Sequence, residues 1–221
     1  MASTFRPTVR RSREQQQAAT RESVLAAATA TFLANGFHGT TIAEVADAAG
    51  FTSGAIYSNF ASKEDLVLAV LDRHAAERTR LLADALSAST SLDDLLSRVS
   101  RWFGTRAETD PEWPMLQLEL ALSTRHNPGL RSRLKERHRA MQAALAQVLR
   151  QQSRRFGFDL PLDADTMASA IHGLGEGLTV QRLLDPATRA RDVFHQSLST
   201  LLGISGAGHH REASWPRRPA P

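Results

Sequence analysis

Along most of the chain, apolar residues recur three and four positions apart and almost nowhere alternate, which predicts helices rather than a sheet. The first helix runs from about Thr20 to Ala34, with Val24, Ala28 and Phe32 as its apolar stripe. Asn35-Gly36 closes it, since both residues tolerate the left-handed conformation that ends helices. Ile42, Val45, Ala46 and Ala49 then mark a helix of barely two turns. Thr41 is its N-cap, Glu44 three residues on completes a capping box, and Gly50 follows where a sharp turn needs positive φ. Thr52 caps a third helix, Ser53 to about Phe60, whose Ile56 and Phe60 point inward. Ser62 caps a fourth, with Glu64 and Asp65 in the first turn where the helix dipole favours acids.

From there, apolar-periodic segments fall at about 62–88, 91–107, 112–125, 128–153, 163–184 and 187–203, each bounded by Pro, Gly or a capping Ser or Asp. The expected fold is all-α with about nine helices: an N-terminal three-helix helix-turn-helix domain at 20–66 and a larger helical domain at 67–204. Two short helices joined by a tight Gly turn form a helix-turn-helix. The outward face of the second carries Ser53, Ala55, Tyr57, Ser58 and Asn59, small or hydrogen-bonding groups with no acid to repel phosphate. Such a face can enter a major groove closely.

Composition narrows the classes. The 221 residues include no cysteine, which excludes disulfide frameworks, thiolate nucleophiles and Cys-ligated metals. No stretch approaches the roughly 18 uninterrupted apolar residues of a membrane span, so the expected location is the cytoplasm. Arginine dominates the basic residues, and only Lys63 and Lys135 are lysines. Residues 1–21 carry five arginines (Arg6, Arg10, Arg11, Arg13 and Arg21) against one acid, Glu14, while the remaining 200 sum to zero charge. Residues 1–19 therefore read as a disordered basic arm and 205–221, rich in Gly, Pro and charge, as a disordered tail.

Thr20–Leu71 resembles the DNA-binding domain of TetR-family transcriptional regulators. The resemblance is carried by Phe32-Leu-Ala-Asn-Gly-Phe37, Gly39-Thr-Thr-Ile-Ala-Glu-Val-Ala46, Ala49-Gly-Phe-Thr-Ser-Gly-Ala-Ile-Tyr-Ser-Asn-Phe60 and Ser62-Lys-Glu-Asp-Leu66. It implies that Ser53, Gly54 and Ala55 face base edges, that Tyr57 and Lys63 grip phosphates, and that Thr41 and the second helix's N-terminus offer donors to phosphate. Ser58 and Asn59 would lie toward the DNA backbone. Many relatives carry a basic or amide side chain where this chain has Ser53.

The same resemblance implies a homodimer paired through the last two long helices and an effector pocket among the C-terminal helices. Met167, Ala170, Ile171, Leu174, Leu178 and Leu183 supply a broad apolar face for pairing, and Gly173, Gly175 and Gly177 allow close approach. Candidate pocket residues are Trp102, Phe103, Trp113, Met115, Gln117, Leu120, Met141 and His172. Glu119 and Glu176 interrupt apolar runs and need partners if buried. Scattered histidines, with no HExxH, phosphate-binding Gly loop or GxSxG, give no sign of an enzyme, a metal site or a cofactor.

Three functions compete. The first is a regulator, a repressor that releases double-stranded operator DNA when a small molecule binds. The second is a helical small-molecule carrier or enzyme keeping the helix-turn-helix as scaffold, which would need Ile42, Val45, Ile56 and Phe60 but not Thr41, Tyr57 and Lys63. The third, a sequence-indifferent DNA binder, fits poorly with zero net charge beyond residue 21, because such binding is mostly electrostatic.

Overall fold

A computed structural model describes residues 13–204. Among these the elements are helices: α1 (Arg13–Gly39), α2 (Ile42–Ala49), α3 (Ser53–Tyr57), α4 (Lys63–Ser87), α5 (Leu92–Thr109), α6 (Glu112–Ser123), α7 (Pro128–Phe156), α8 (Ala164–Leu184) and α9 (Ala190–Leu201). The all-α expectation and the order of elements hold. No helix is long and apolar enough to cross a membrane among the described residues.

Two boundaries need correction. Helix α1 begins at Arg13 rather than near Thr20, so the last part of the expected disordered arm is helical. Glu14 sits in its first turn and Gln15–Ala19 are sound helix formers, yet they show no apolar period and so left no periodic signal. Residues 1–12 and the expected tail at 205–221 lie outside the described residues. Helix α3 stops at Tyr57 instead of continuing toward Phe60. There Ser58 Oγ and Asn59 Nδ2 both donate to the Ala55 carbonyl, at 2.8 and 2.9 Å, and so compete with helix propagation.

The described residues divide into two compact units, 13–84 with 110–136 and 85–109 with 137–204. In the first, Val24, Ala28 and Phe32 of α1 meet Val45 of α2, Ile56 of α3, and Leu66 and Val70 of α4 in one buried core. Helix α6 belongs to this core as well, through Trp113, Leu116 and Leu120. Each such side chain contributes about 1.5–3 kcal/mol when fully buried, so α6 is held firmly against α1. Periodicity alone assigns α6 to the C-terminal domain, and its packing joins it to the first unit.

In the second unit Phe103 of α5 stacks on Phe194 of α9, ring centroids 4.1 Å apart. Ala146 and Leu149 of α7, Met167, Ala168, Ile171 and Leu178 of α8, and Leu198 of α9 complete the core. Asp163 caps α8 by accepting from the amides of Asp165 and Thr166. The Arg155 guanidinium donates to the carbonyls of Leu86, Ser87 and Ser89, at 2.8, 3.3 and 2.7 Å, satisfying acceptors stranded where α4 ends.

The apolar face expected to pair two copies is largely spent inside the protomer. Met167, Ile171 and Leu178 are buried, and Leu174 packs against the same core. A Cβ at Gly175 would lie 3.4 Å from Phe103 Cε2, whereas no neighbouring group among the described residues lies within 4 Å of one at Gly173 or Gly177. Of the three glycines, only Gly173 and Gly177 open outward. They share a helical stripe with half-buried Val180 and with Leu184, which is 84% exposed.

Candidate nucleic-acid interface

The reading head forms as its local signals dictate. Thr41 Oγ1 accepts from the Glu44 amide at 3.2 Å, and the Glu44 carboxylate accepts from the Thr41 N–H at 2.7 Å and from its hydroxyl at 2.9 Å. Those bonds, the backbone one first, hold the Glu44 carboxyl below its ordinary range. Gly50 then turns the chain at φ 72°, ψ 30°, in the left-handed region, and Thr52 caps α3 by accepting from the Ala55 amide.

On α3, Ile56 faces the core and is fully buried, which leaves Tyr57 55% exposed on the opposite side. Gly54 is exposed, and Ser53 and Ala55 are half-buried beside it. The hydroxyl of Tyr57 is therefore presented outward without being needed for packing. Ser58 and Asn59 stand differently. Their donors are turned back on Ala55, and the Asn59 carbonyl accepts from Arg21 at 3.1 Å. The Thr41 hydroxyl is engaged in its capping box, so that position offers backbone groups before its side chain.

Lys63, the first residue of α4, places its ammonium 4.6 Å from the centroid of the Phe37 ring. Partial burial holds the ammonium below the ordinary lysine range, against the opposing pull of Glu64, Glu44 and Glu119. Asp65, in the same turn, pairs with Arg133 of α7.

A kink inside α1, at Gly36, was not legible in the sequence. Gly36 has φ 72° with ψ 177°, and among the described residues no non-Gly residue has positive φ, so Asn35 stays in the right-handed helix. That conformation is essentially confined to glycine and is distinct from the left-handed cap expected. Across the turn lies Glu119 of α6, whose Oε2 accepts from the Phe37 N–H at 2.6 Å. A Cβ on Gly36 would sit 2.5 Å from the other carboxylate oxygen. The buried Thr40 hydroxyl donates to the Gly36 carbonyl at 2.8 Å, and His38 Nε2 meets Ser123 Oγ at 2.8 Å. An acid interrupting the apolar run of α6 was the available signal for Glu119, but its partner is 82 positions away.

The eight pocket candidates are divided between the two units. Trp113 and Leu120 are core residues of the first, with Trp113 stacked on His74 at 3.7 Å between centroids. Met115 is exposed there and Gln117 half-buried. In the second unit, Phe103 is core and Trp102 packs against it, while Met141 is exposed. Lining a pocket is thus the weaker account of Phe103, Trp113 and Leu120. A cavity of about 410 Å³ between α5 and α9 is lined by other residues, among them Ser97, Arg191 and His195. Its wall includes the buried Ser100 hydroxyl, 3.0 Å from His195 Nδ1.

His172 is half-buried, with Nε2 3.3 Å from Glu176 Oε1 and its ring edge-on to His138. Burial above all pushes its pKa below the ordinary 6.5, helped by His138 and Arg106 and opposed by Glu176. Folded His172 thus takes its proton less readily than the unfolded chain does. Its contribution is complete above the unfolded pKa and is lost as pH falls from there through the lower folded value. Thermal unfolding from pH about 7.5 to about 5.5 should show a steeper fall for the wild type than for His172→Gln. Equal slopes would mean that this imidazole is not linked to folding.

Comparison with known proteins converges on one group. The family described as "Bacterial regulatory proteins, tetR family" matches residues 24–70, and that described as "BetI-type transcriptional repressor, C-terminal" matches residues 92–203. The HTH-type transcriptional repressor ComR of Escherichia coli is 25% identical over 185 residues, covering 81% of this chain and 87% of that protein. The HTH-type transcriptional repressor AcnR of Corynebacterium diphtheriae is 25% identical over 176 residues, covering 75% and 87%. Among solved structures, the transcriptional regulator FadR of Bacillus subtilis in complex with stearoyl-CoA superposes with a TM-score of 0.67 at 20% identity, covering 83% of this chain and 98% of that one.

Proposed function

Because the chain belongs to the TetR family of bacterial regulatory proteins, we propose that it is a cytoplasmic repressor that reads operator DNA as a two-fold homodimer and lets go when a small molecule binds its C-terminal helices. The observation that carries this reading is the outward face of α3. A glycine turn and two capped short helices hold Tyr57 exposed beside Ser53, Gly54 and Ala55, with no acid among them. A helix-turn-helix kept as scaffold for an enzyme or carrier would need only the buried side of the same helices.

In this reading Ser53, Gly54 and Ala55 meet base edges, and Ala55 suits a thymine methyl. Tyr57 and Lys63 hold phosphates, Thr41 offers its backbone, and Ser58 and Asn59 lie nearer the DNA backbone. Pairing through the outward stripe of Gly173, Gly177, Val180 and Leu184 would set two α3 helices into successive major grooves, about 34 Å apart. The domain division that goes with this role is a reading head at 20–66, with α6 packed into its core, and a ligand and dimer domain in the remainder of 67–204. Trp102, Met141 and His172 of the second unit remain candidates for effector contact there, with the packed Phe103 shaping their surroundings, and Met115 and Gln117 remain candidates on the first unit, where Trp113 and Leu120 are core. The ComR and AcnR names support repression, and the FadR complex supports an effector of small-molecule class.

Binding to the DNA upstream of the protein's own gene tests the interface. Tyr57→Phe and Lys63→Ala should each weaken it about 5–10-fold, by a similar factor for matched and mismatched sites, because phosphate contacts carry no sequence information. Ser53→Arg should instead change base preference, by about 1–3 kcal/mol at one position. A Lys63→Ala protein with altered base preference would remove Lys63 from the phosphate-gripping role.

A further inference from the structure

Helix α6 is packed into the reading head, and one of its side chains touches the turn that precedes the helix-turn-helix. We propose that Glu119 is a positioning residue for operator binding, acting on Lys63 through Phe37. The proposal rests on the interface reading above and adds to it the element that sets the cation's place.

The geometry forms a short chain of contacts. The Glu119 carboxylate receives the Phe37 N–H at 2.6 Å, a charge-assisted bond and so among the stronger kinds. Its other oxygen occupies the space that a side chain on Gly36 would need, which explains a glycine there independently of φ. Phe37 is 6% exposed, and its ring stacks against Phe32 at 6.3 Å between centroids. The Lys63 ammonium lies over the same Phe37 ring, 4.6 Å from its centroid. On the α6 side, Leu116 and Leu120 flank Glu119 and are buried, so the helix cannot roll without disturbing the core. Ser123 donates to the Glu119 carbonyl at 2.7 Å and meets His38 at 2.8 Å, a second tie between α6 and the same turn.

Two consequences follow from this arrangement. Removing the carboxylate leaves a part-buried N–H without an acceptor and frees the turn that carries the Phe37 ring. The ring is the surface over which the Lys63 ammonium sits, so the ammonium at the end of its flexible stem loses its fixed position. Sliding α6 along α1 would act on Lys63 in the same way. The reading head thereby acquires a handle on α6, in addition to α4, which carries Lys63 itself.

The test is a mutant cycle in the full-length protein, read as affinity for the DNA upstream of its own gene across a salt series. Glu119→Ala should weaken binding about 10-fold and lower the slope of log affinity against log salt by about 0.9, the loss of one phosphate contact. In a Lys63→Ala background, Glu119→Ala should add less than about 2-fold, because the two changes remove the same contact. Glu119→Gln keeps an acceptor oxygen for the Phe37 N–H and should recover most of the affinity. Circular dichroism and the unfolding midpoint establish that each variant folds. Should Glu119→Ala not fold, Phe37→Leu, which keeps apolar bulk and removes the ring beneath Lys63, should give the same lowered slope. An unchanged slope in the variant that folds, or a loss that simply adds to that of Lys63→Ala, overturns the proposal. A wild-type protein that binds no such DNA overturns the interface reading and this proposal together. A wild type that binds, with Glu119→Ala indistinguishable from it, overturns this proposal alone.

Discussion

Leucine in place of Gly177 should yield a folded protomer that no longer dimerises and binds operator at least about 100-fold more weakly. Among the described residues no neighbouring group lies within 4 Å of a Cβ at Gly177, and replacing a helix-interior glycine gains up to about 1 kcal/mol of helix propensity, so the protomer's fold tolerates the change. In a two-fold interface the same patch meets its own copy, so one substitution places two leucines where two bare backbones would touch. A protomer that grips one half-site forgoes the roughly 10²–10⁴ gain of holding both. Leucine at Gly175 should behave oppositely. Its Cβ would already lie 3.4 Å from Phe103 and 3.8 Å from Phe194, so the added carbons overpack the protomer's core at a cost of about 1–3 kcal/mol. Sedimentation and thermal unfolding separate the two variants. A Gly177→Leu protein that sediments as a dimer and binds operator normally would exclude this face as the seam.

Gly36→Ala should be among the most damaging single changes in the reading head. The backbone at φ 72°, ψ 177° costs a side chain about 1–3 kcal/mol, before the displaced Glu119 carboxylate is counted. At about 2–4 °C per kcal/mol for a chain of this size, the unfolding midpoint should drop by several degrees. Asparagine supplies the control. It tolerates the left-handed region, so Gly50→Asn, at φ 72°, ψ 30° with open space around the Cβ, should be mild. Gly36→Asn should be no better than Gly36→Ala, because ψ near 180° lies outside that region. Equal tolerance at the two positions would show that the Gly36 backbone relaxes freely.

The contrast between these two glycines marks what could be read from the chain. Gly50 follows α2 and Gly36 kinks α1 near its end, and the sequence assigned both a positive-φ closing role. For Gly50 that was enough, because its turn is made of bonds spanning a few residues, back to the Ala46 and Asp47 carbonyls. The Thr41–Glu44 box and the Thr52 cap are equally local, which is why α2 and the start of α3 could be placed to the residue. Helix periods likewise identified Val24, Phe32, Val45 and Ile56 as core. The backbone at Gly36 depends on a carboxylate from another helix, and no local pattern specifies that partner.

Periodicity gives a helix an apolar side but not the neighbour it packs on. It marked Met167, Ile171 and Leu178 as one face without telling a partner copy from the protomer's own α5 and α9. It could not separate Gly175, which approaches Phe103, from Gly173 and Gly177, which approach no neighbouring group among the described residues. Trp113 and Leu120 were apolar on a helix expected to line a pocket, and the fold instead joins them to the core of the reading head. Sequence by itself determined the helices, their caps and the chemistry of the α3 face, because those depend on neighbours within a turn or two. Only the tertiary structure decided which helix faces meet, because burial rewards any apolar partner of the right shape, however distant along the chain.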